Sequence, residues 1–343
     1  MGRDKVLGIG YFFVHVLVEI VCFAMLSSCF TVDGGLLWGM ALCFDFFAFA
    51  TQGAIGALFH RRKCPDPGST GSILMLLSLF LISDSSGPLS ILGLILLALG
   101  NAFLHEAGAI GTTACSGGKL FPAALFVAGG SFGVVTGQYL GALPGFGKYW
   151  LILPVLLTEG LVLLTNRYWR KADGAYPPFR LAREPERPLF LCLTAFGVTA
   201  ARSFIGYAIP ISWRKELWQS FLLFGMMGAG KALGGWLSDR FGARRVGVLS
   251  TLLCIPFLLF GRDLMLVSIL GVFCFSLTMS ITYGMLLSVM GDRPGVAFGI
   301  TTLGLFVGLL PVFAFGSFGY AVNSGLIVAL SLGSAYLLNR TLQ

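Results

Sequence analysis

Eight ionisable side chains stand inside long apolar stretches of this sequence: His15, Glu19, Asp45, His105, Glu106, Glu159, Arg202 and Lys231. Ionisable groups are costly in an apolar medium, and those found there bind, pair or carry protons. His15 and Glu19 are four residues apart, which puts them on one helical face. A carboxylate beside an imidazole or guanidinium in low dielectric has a protonation state that a cation or solute can switch. Glu19 and Glu106 are the candidate proton carriers, with His105 and Arg202 as tuning partners or solute contacts and His15 a further candidate for the same cavity. For Asp45, Glu159 and Lys231 a purely structural pairing is as good a reading.

The sequence has no His-Glu-x-x-His, Gly-x-Ser-x-Gly or Gly-x-x-x-x-Gly-Lys pattern, so no catalytic residue is expected and the chain does not read as an enzyme. His105 and Glu106 are adjacent and point to different helix faces, which argues against a compact metal site. Neither a metal nor a cofactor is expected. A non-transporting sensor or membrane-embedded enzyme remains the alternative of another class.

The elements that must position these residues are membrane spans. The 343 residues are 56% hydrophobic and only 11% charged, against roughly 25% charged in a soluble domain. With a mean hydropathy of +0.87, the bilayer is the expected solvent. The apolar residues fall in runs near the length that crosses a hydrocarbon core of roughly 30 Å as a helix. Lipid offers no hydrogen bonds, and the runs lack the period-two alternation of a barrel, so helices are expected.

Twelve runs follow from the charged and Gly/Pro-rich breaks. Six lie at 6–30, 36–60, 69–83, 88–114, 119–143 and 149–166, and six at 188–212, 217–238, 245–261, 263–290, 294–319 and 322–339. The first run is too long for a signal-peptide core and lacks a cleavage pattern, so it reads as a retained helix. With the N-terminus placed in the cytoplasm, seventeen of the 23 basic residues lie inside and four outside, which puts both termini in the cytoplasm. The net charge of +8 is thereby explained by topology, with no nucleic-acid patch. The segment from Arg167 to Arg187 carries Pro177, Pro178 and Pro185 with six basic residues. It reads as a linker, 167–187, between an N-terminal six-helix bundle, 1–166, and a C-terminal one, 188–343. Seven cysteines lie in or beside apolar runs and only Cys64 in a charged loop, so no disulfide framework is expected.

The loop after the eighth run reads Gly235-x-Leu237-x-Asp239-Arg240-x-Gly242-x-Arg244-Arg245. Gly235 permits close packing, Gly242 a tight turn, and the arginines suit an anionic leaflet. Asp239 suits the positive end of a nearby helix, and the eleventh run opens at Pro294. The spacing resembles the signature loop of the major facilitator superfamily, where this contact latches the cytoplasmic side. The loop after the second run, Gly56-Ala-Leu58-Phe-His60-Arg61-Arg62-Lys63, is a degraded copy with His60 in the place of the acid. Unequal latches are therefore expected, the C-terminal half holding the stronger.

The resemblance implies an all-α polytopic membrane protein of twelve transmembrane helices in two six-helix bundles, with helices one, four, seven and ten around a central cavity. Glu19, His105, Glu106 and Arg202 belong to three of those helices, and Tyr283 with Ser280 to the fourth. Shorter patches are similar to the fosmidomycin-resistance branch: His15-x-x-x-Glu19, Gly100 to Gly108, Phe126 to Gly133, Arg202-Ser203, and Arg293 to Gly299. The glycines at 129, 133, 137 and 141 also resemble the fifth-helix motif of drug/proton antiporters, with Gln138 where that motif has proline. Helix packing is the other explanation of this series and of Gly295, Gly299, Gly304 and Gly308.

The function implied is secondary active transport by alternating access. Proton-coupled efflux of a drug-like or amphipathic metabolite comes first, and proton-coupled import of a small nutrient or organic anion is the alternative. The partners are a small-molecule substrate, protons and the bilayer, and the protein is expected to act as a monomer. Short loops suit a prokaryotic plasma membrane.

Overall fold

The computed structural model describes residues 3–30, 35–61, 66–83, 87–169, 176–316 and 318–343. Arg62 and Lys63 of the degraded loop, Cys64 after it, and Arg170 and Lys171 of the linker lie outside them.

Twelve helical spans form two six-helix bundles. In the first, α1 is Arg3–Cys29, and α2 runs as Gly35–Asp45, a π-helical turn Phe46–Ala50, and Gln52–His60. Next come α3 Pro67–Leu81, α4 Pro88–Ala114, α5 Phe121–Gly141, and α6 Ile152–Trp169 behind a 3-10 turn Lys148–Leu151. The second holds α7 Pro188–Ala208, α8 Leu217–Phe241, α9 Ala243–Phe260, α10 in two pieces (Met265–Ser276 and Met279–Leu287), α11 Pro294–Phe315 and α12 Tyr320–Thr341.

Among the described residues, ten spans are long and apolar enough to cross a membrane. The other two are α3, 15 residues long, and α8, whose 25 residues are diluted by glycines, Gln219 and Lys231. Leu153, Leu156, Leu157, Leu163 and Leu164 of α6 point outward and exposed, a surface suited to acyl chains.

Local chemistry sets the boundaries. The third span begins two residues earlier than the run at 69–83, because Asp66 caps it by accepting N–H bonds from Gly68 (3.0 Å) and Ser69 (3.3 Å), with Pro67 at the first helical position. The tenth run, expected as one helix over 263–290, breaks at 277–278.

The fifth-span glycines serve packing. A Cβ at Gly129 would lie 2.3 Å from the Phe12 carbonyl oxygen, and one at Gly133 2.4 Å from that of Val16. Backbone contact between α5 and α1 thus depends on their lacking side chains. From residue 176 the linker lies against the end of the C-terminal bundle. Arg183 N donates to Thr341 O (2.8 Å) and Gln343 N to Leu181 O (3.0 Å). An even number of spans in each half puts Arg3 and Gln343 at this linker end. Among the described residues, Cys22, Cys29, Cys43, Cys192, Cys254 and Cys274 are free thiols.

Candidate functional site

A cavity of about 230 Å³ lies between the bundles, walled by α1, α2, α4 and α5 on one side and α7, α8, α10 and α11 on the other. Most of its wall is apolar, with Phe23, Phe49, Val127, Phe224, Met227 and Phe298 prominent. The ionisable groups lining it are His15, Glu19, His105, Lys231 and Tyr283.

Three of these converge. His15 and Glu19, one turn apart on α1, face His105 of α4, and all three are buried. Glu19 Oε1 lies 3.5 Å from His15 Nε2 and 3.5 Å from His105 Nε2. It also accepts a hydrogen bond from Asn101 Nδ2 at 3.0 Å. The two Nε2 atoms are 2.8 Å apart. His15 Nδ1 contacts the Phe126 carbonyl oxygen and His105 Nδ1 that of Asn101, each at 2.9 Å.

Hydrogen-bond accounting constrains this cluster. Carbonyl oxygens only accept, so each Nδ1 carries a hydrogen. Two bare Nε2 lone pairs at 2.8 Å would repel, so the pair is arranged to take one hydrogen between the two Nε2 atoms. The ring that takes it becomes an imidazolium, with the Glu19 carboxylate beside it as counter-charge. The geometry is that of a site for one proton beyond the neutral rings.

The same three ligand atoms lie within 4.8 Å of one another, close enough to be considered for a metal ion. Tetrahedral zinc, bonded at about 2.0–2.1 Å, would separate the two nitrogens by roughly 3.3 Å. The observed separation is that of a hydrogen bond.

The remaining candidates divide. Tyr283 lines the cavity, and its hydroxyl shares a 2.8 Å hydrogen bond with Thr113 Oγ1 of α4, joining the two bundles. Lys231 reaches the cavity from α8, and no hydrogen bond or ion pair engages it among the described residues. Arg202 does not line this cavity. It points into a separate pocket within the C-terminal bundle, where Nη1 donates to the Phe275 carbonyl and to Thr278 Oγ1 and the guanidinium stacks over the Phe275 ring at 4.5 Å. These partners flank the break in α10. The guanidinium there meets carbonyls freed by the interrupted helix and its negative C-terminal end.

Glu106 is fully buried behind the cavity, its carboxyl wedged between Gly56 of α2 and Gly295 of α11, with no hydrogen-bond partner among the described residues. Glu159 accepts from Ser69 Oγ at 2.8 Å, a pin between α6 and α3. Asp45 sits beside the π-helical turn of α2 and does not line the cavity. Asn101 escaped the reading of the sequence, although its place four residues before His105 was a legible sign that both share a face.

At the linker end the bundles are joined by two latches. Asp239, at the end of α8, accepts N–H bonds from Leu120 (2.8 Å) and Phe121 (2.9 Å) at the start of α5. The expected partner, the start of α11, is taken instead by the degraded loop, where Gly295 N donates to His60 Nε2 at 3.2 Å. Each half thus reaches across to the other, because motif helix and receiving helix sit in opposite repeats. Gly235 packs against Ala124 of α5, and Gly242 turns the chain at φ +91°. Arg240 lies over the Trp236 and Phe241 rings, and Arg244 bonds Asn339.

Two bundles around a central cavity, joined by latches at one end, define a fold that solved structures share. The chain is similar to the crystal structure of FucP, a Major Facilitator Superfamily transporter in the outward conformation, with a TM-score of 0.61 and 16% identity over 98% of this chain and 97% of that one. It is also similar to the human organic anion transporter MFSD10 (TETRAN), with a TM-score of 0.68 and 16% identity over 98% of this chain and 100% of that one. No family model and no curated protein matches the sequence. The chain therefore has the major facilitator fold, in a multi-pass membrane protein. The likeness does not single out the fosmidomycin-resistance branch.

Proposed function

We propose that the protein is a proton-coupled secondary transporter of a small amphipathic solute. Residues 1–166 and 188–343 rock about the central cavity by alternating access, with 167–187 linking them. The observation that carries this reading is the His15–His105–Glu19 cluster at the wall of an otherwise apolar cavity. It holds one proton where a solute would touch it, so solute and proton sense each other. Each chain has a complete cavity, which supports a working monomer. The excess of basic residues at the linker end supports cytoplasmic termini in a prokaryotic plasma membrane.

The branch resemblance supports efflux, with protons moving against the solute. Import with protons is the second reading, and Lys231 favours it. Everted and right-side-out vesicles would separate the two directions.

A thermal-shift screen of purified protein against drugs and metabolites at two pH values identifies the solute, because a ligand of the folded state raises apparent stability. In proteoliposomes, Glu19→Gln should abolish transport driven by a pH gradient while solute exchange persists. Unimpaired gradient-driven transport by that variant would sink the proton assignment.

A further inference from the structure

We infer that the transported solute is a small organic monoanion that docks on Lys231 and enters the cavity together with the proton held by His15 and His105. This rests on the reading of the cavity as a proton-linked transport site, and it names the solute's charge and the sign of the coupling.

The charge count of the cavity is the starting point. Glu19 contributes one negative charge, balanced by the imidazolium when the histidine pair has taken its proton. Lys231 then contributes a second positive charge, with no ion pair among the described residues. The other ionisable groups nearby leave that sum unchanged: Tyr283 and Cys22 are uncharged, while Asp45 of α2, Glu106 of α4 and Arg202 of α7 do not line the cavity. An ammonium in an apolar enclosure is costly until a counter-ion joins it. Lys231 matches a single negative charge, because Lys acts as a point charge rather than a bidentate fork.

The cavity's size and wall describe the rest of the molecule. About 230 Å³ is below the roughly 300–1,000 Å³ of drug-sized pockets. The Phe23, Phe49, Phe224 and Phe298 side chains suit an apolar or aromatic body. A compact aryl or branched alkyl acid fits both features.

The sign of coupling follows from electrostatics. An anion on Lys231 and a proton on the histidine pair attract within one low-dielectric enclosure, so each raises the other's affinity by the same factor. The stable states of the cavity are then doubly loaded and empty, and those are the states that reorient. Proton and anion move in the same direction. A cationic solute would be repelled by the proton and exchange with it instead.

Three probes that share a ring and differ in charge test this: benzoate, benzamide and benzylammonium, each titrated against purified full-length protein at one pH. Benzoate should bind at least tenfold more tightly than the other two and should draw protons from a weakly buffered medium containing a pH indicator. Lys231→Met should weaken benzoate at least tenfold, and Lys231→Arg should restore most of that loss. The inference is overturned by equal binding of benzamide or benzylammonium, by proton release with benzoate, or by less than a twofold effect of Lys231→Met. Absence of binding by all three probes also overturns it. Glu19-dependent, gradient-driven flux of an uncharged or cationic solute would retain the transporter reading while removing this one. Loss of gradient dependence for every solute would remove the reading beneath it.

Discussion

His60 of α2 accepts the backbone N–H of Gly295 at the start of α11, at 3.2 Å, so this bond between the halves exists only while Nε2 is unprotonated. Its counterpart, Asp239, makes two shorter, charge-assisted bonds to α5. Bonds of the second kind are roughly twice as strong. The two latches are unequal for a chemical reason, an imidazole standing where the repeat partner has a carboxylate.

Asp239→Asn removes the charge and leaves one acceptor oxygen. The α5–α8 latch should weaken by about 1.5–3 kcal/mol. Spin labels at the linker ends of α5 and α8 should report a larger share of separated molecules, and an unchanged distance distribution would contradict the latch.

His60→Asp should act in the opposite sense, giving α11 the carboxylate that α5 already has. The expected result is a narrower distance distribution at the linker end and slower turnover, since opening must break a stronger contact. Faster turnover would show that the α2–α11 contact does not limit opening.

The histidine pair should behave as one unit. His15→Gln and His105→Gln each destroy the Nε2–Nε2 hydrogen bond, so either alone should cost gradient-driven flux about as much as both together. Groups that act as a unit are grossly non-additive in this way. Additive losses in the double variant would show two independent sites.

Arg202 bridges the break in α10 away from the cavity. Arg202→Met takes the guanidinium from the Phe275 carbonyl and from Thr278 Oγ1, leaving that carbonyl only the Thr278 hydroxyl at 3.2 Å, at a cost of about 1–3 kcal/mol. A lower unfolding temperature with unchanged solute affinity is the expected pair of results. A selective loss of solute affinity at full stability would return Arg202 to the transport path.

Much of this architecture was legible in the sequence, because hydrophobic length and basic loops are strong signals in lipid. The signature loop was legible too, including the tight turn at Gly242, where φ is +91°. What escaped were relations across the bundle. Asp239 was matched to the wrong helix start, since sequence spacing does not say which repeat a loop will face. Glu19 and Arg202 occupy similar depths in repeat-related helices, yet one faces the cavity and the other a helix break. Depth is written in the sequence, whereas rotation about the helix axis depends on neighbours such as the Phe275 carbonyl. Lys231, set among helix-packing glycines, gave no local sign of its position.

The far end of the molecule is closed differently, by ring contacts between Trp38 and Phe313 (5.5 Å) and between Tyr139 and Phe221 (6.2 Å). Such contacts carry no net charge, weaken on cooling and are indifferent to ionic strength. The Asp239 latch, built on an exposed carboxylate, is sensitive to salt. The two gates therefore answer to different bath variables. Temperature and ionic strength become independent handles for trapping one face open, without a mutation or a ligand.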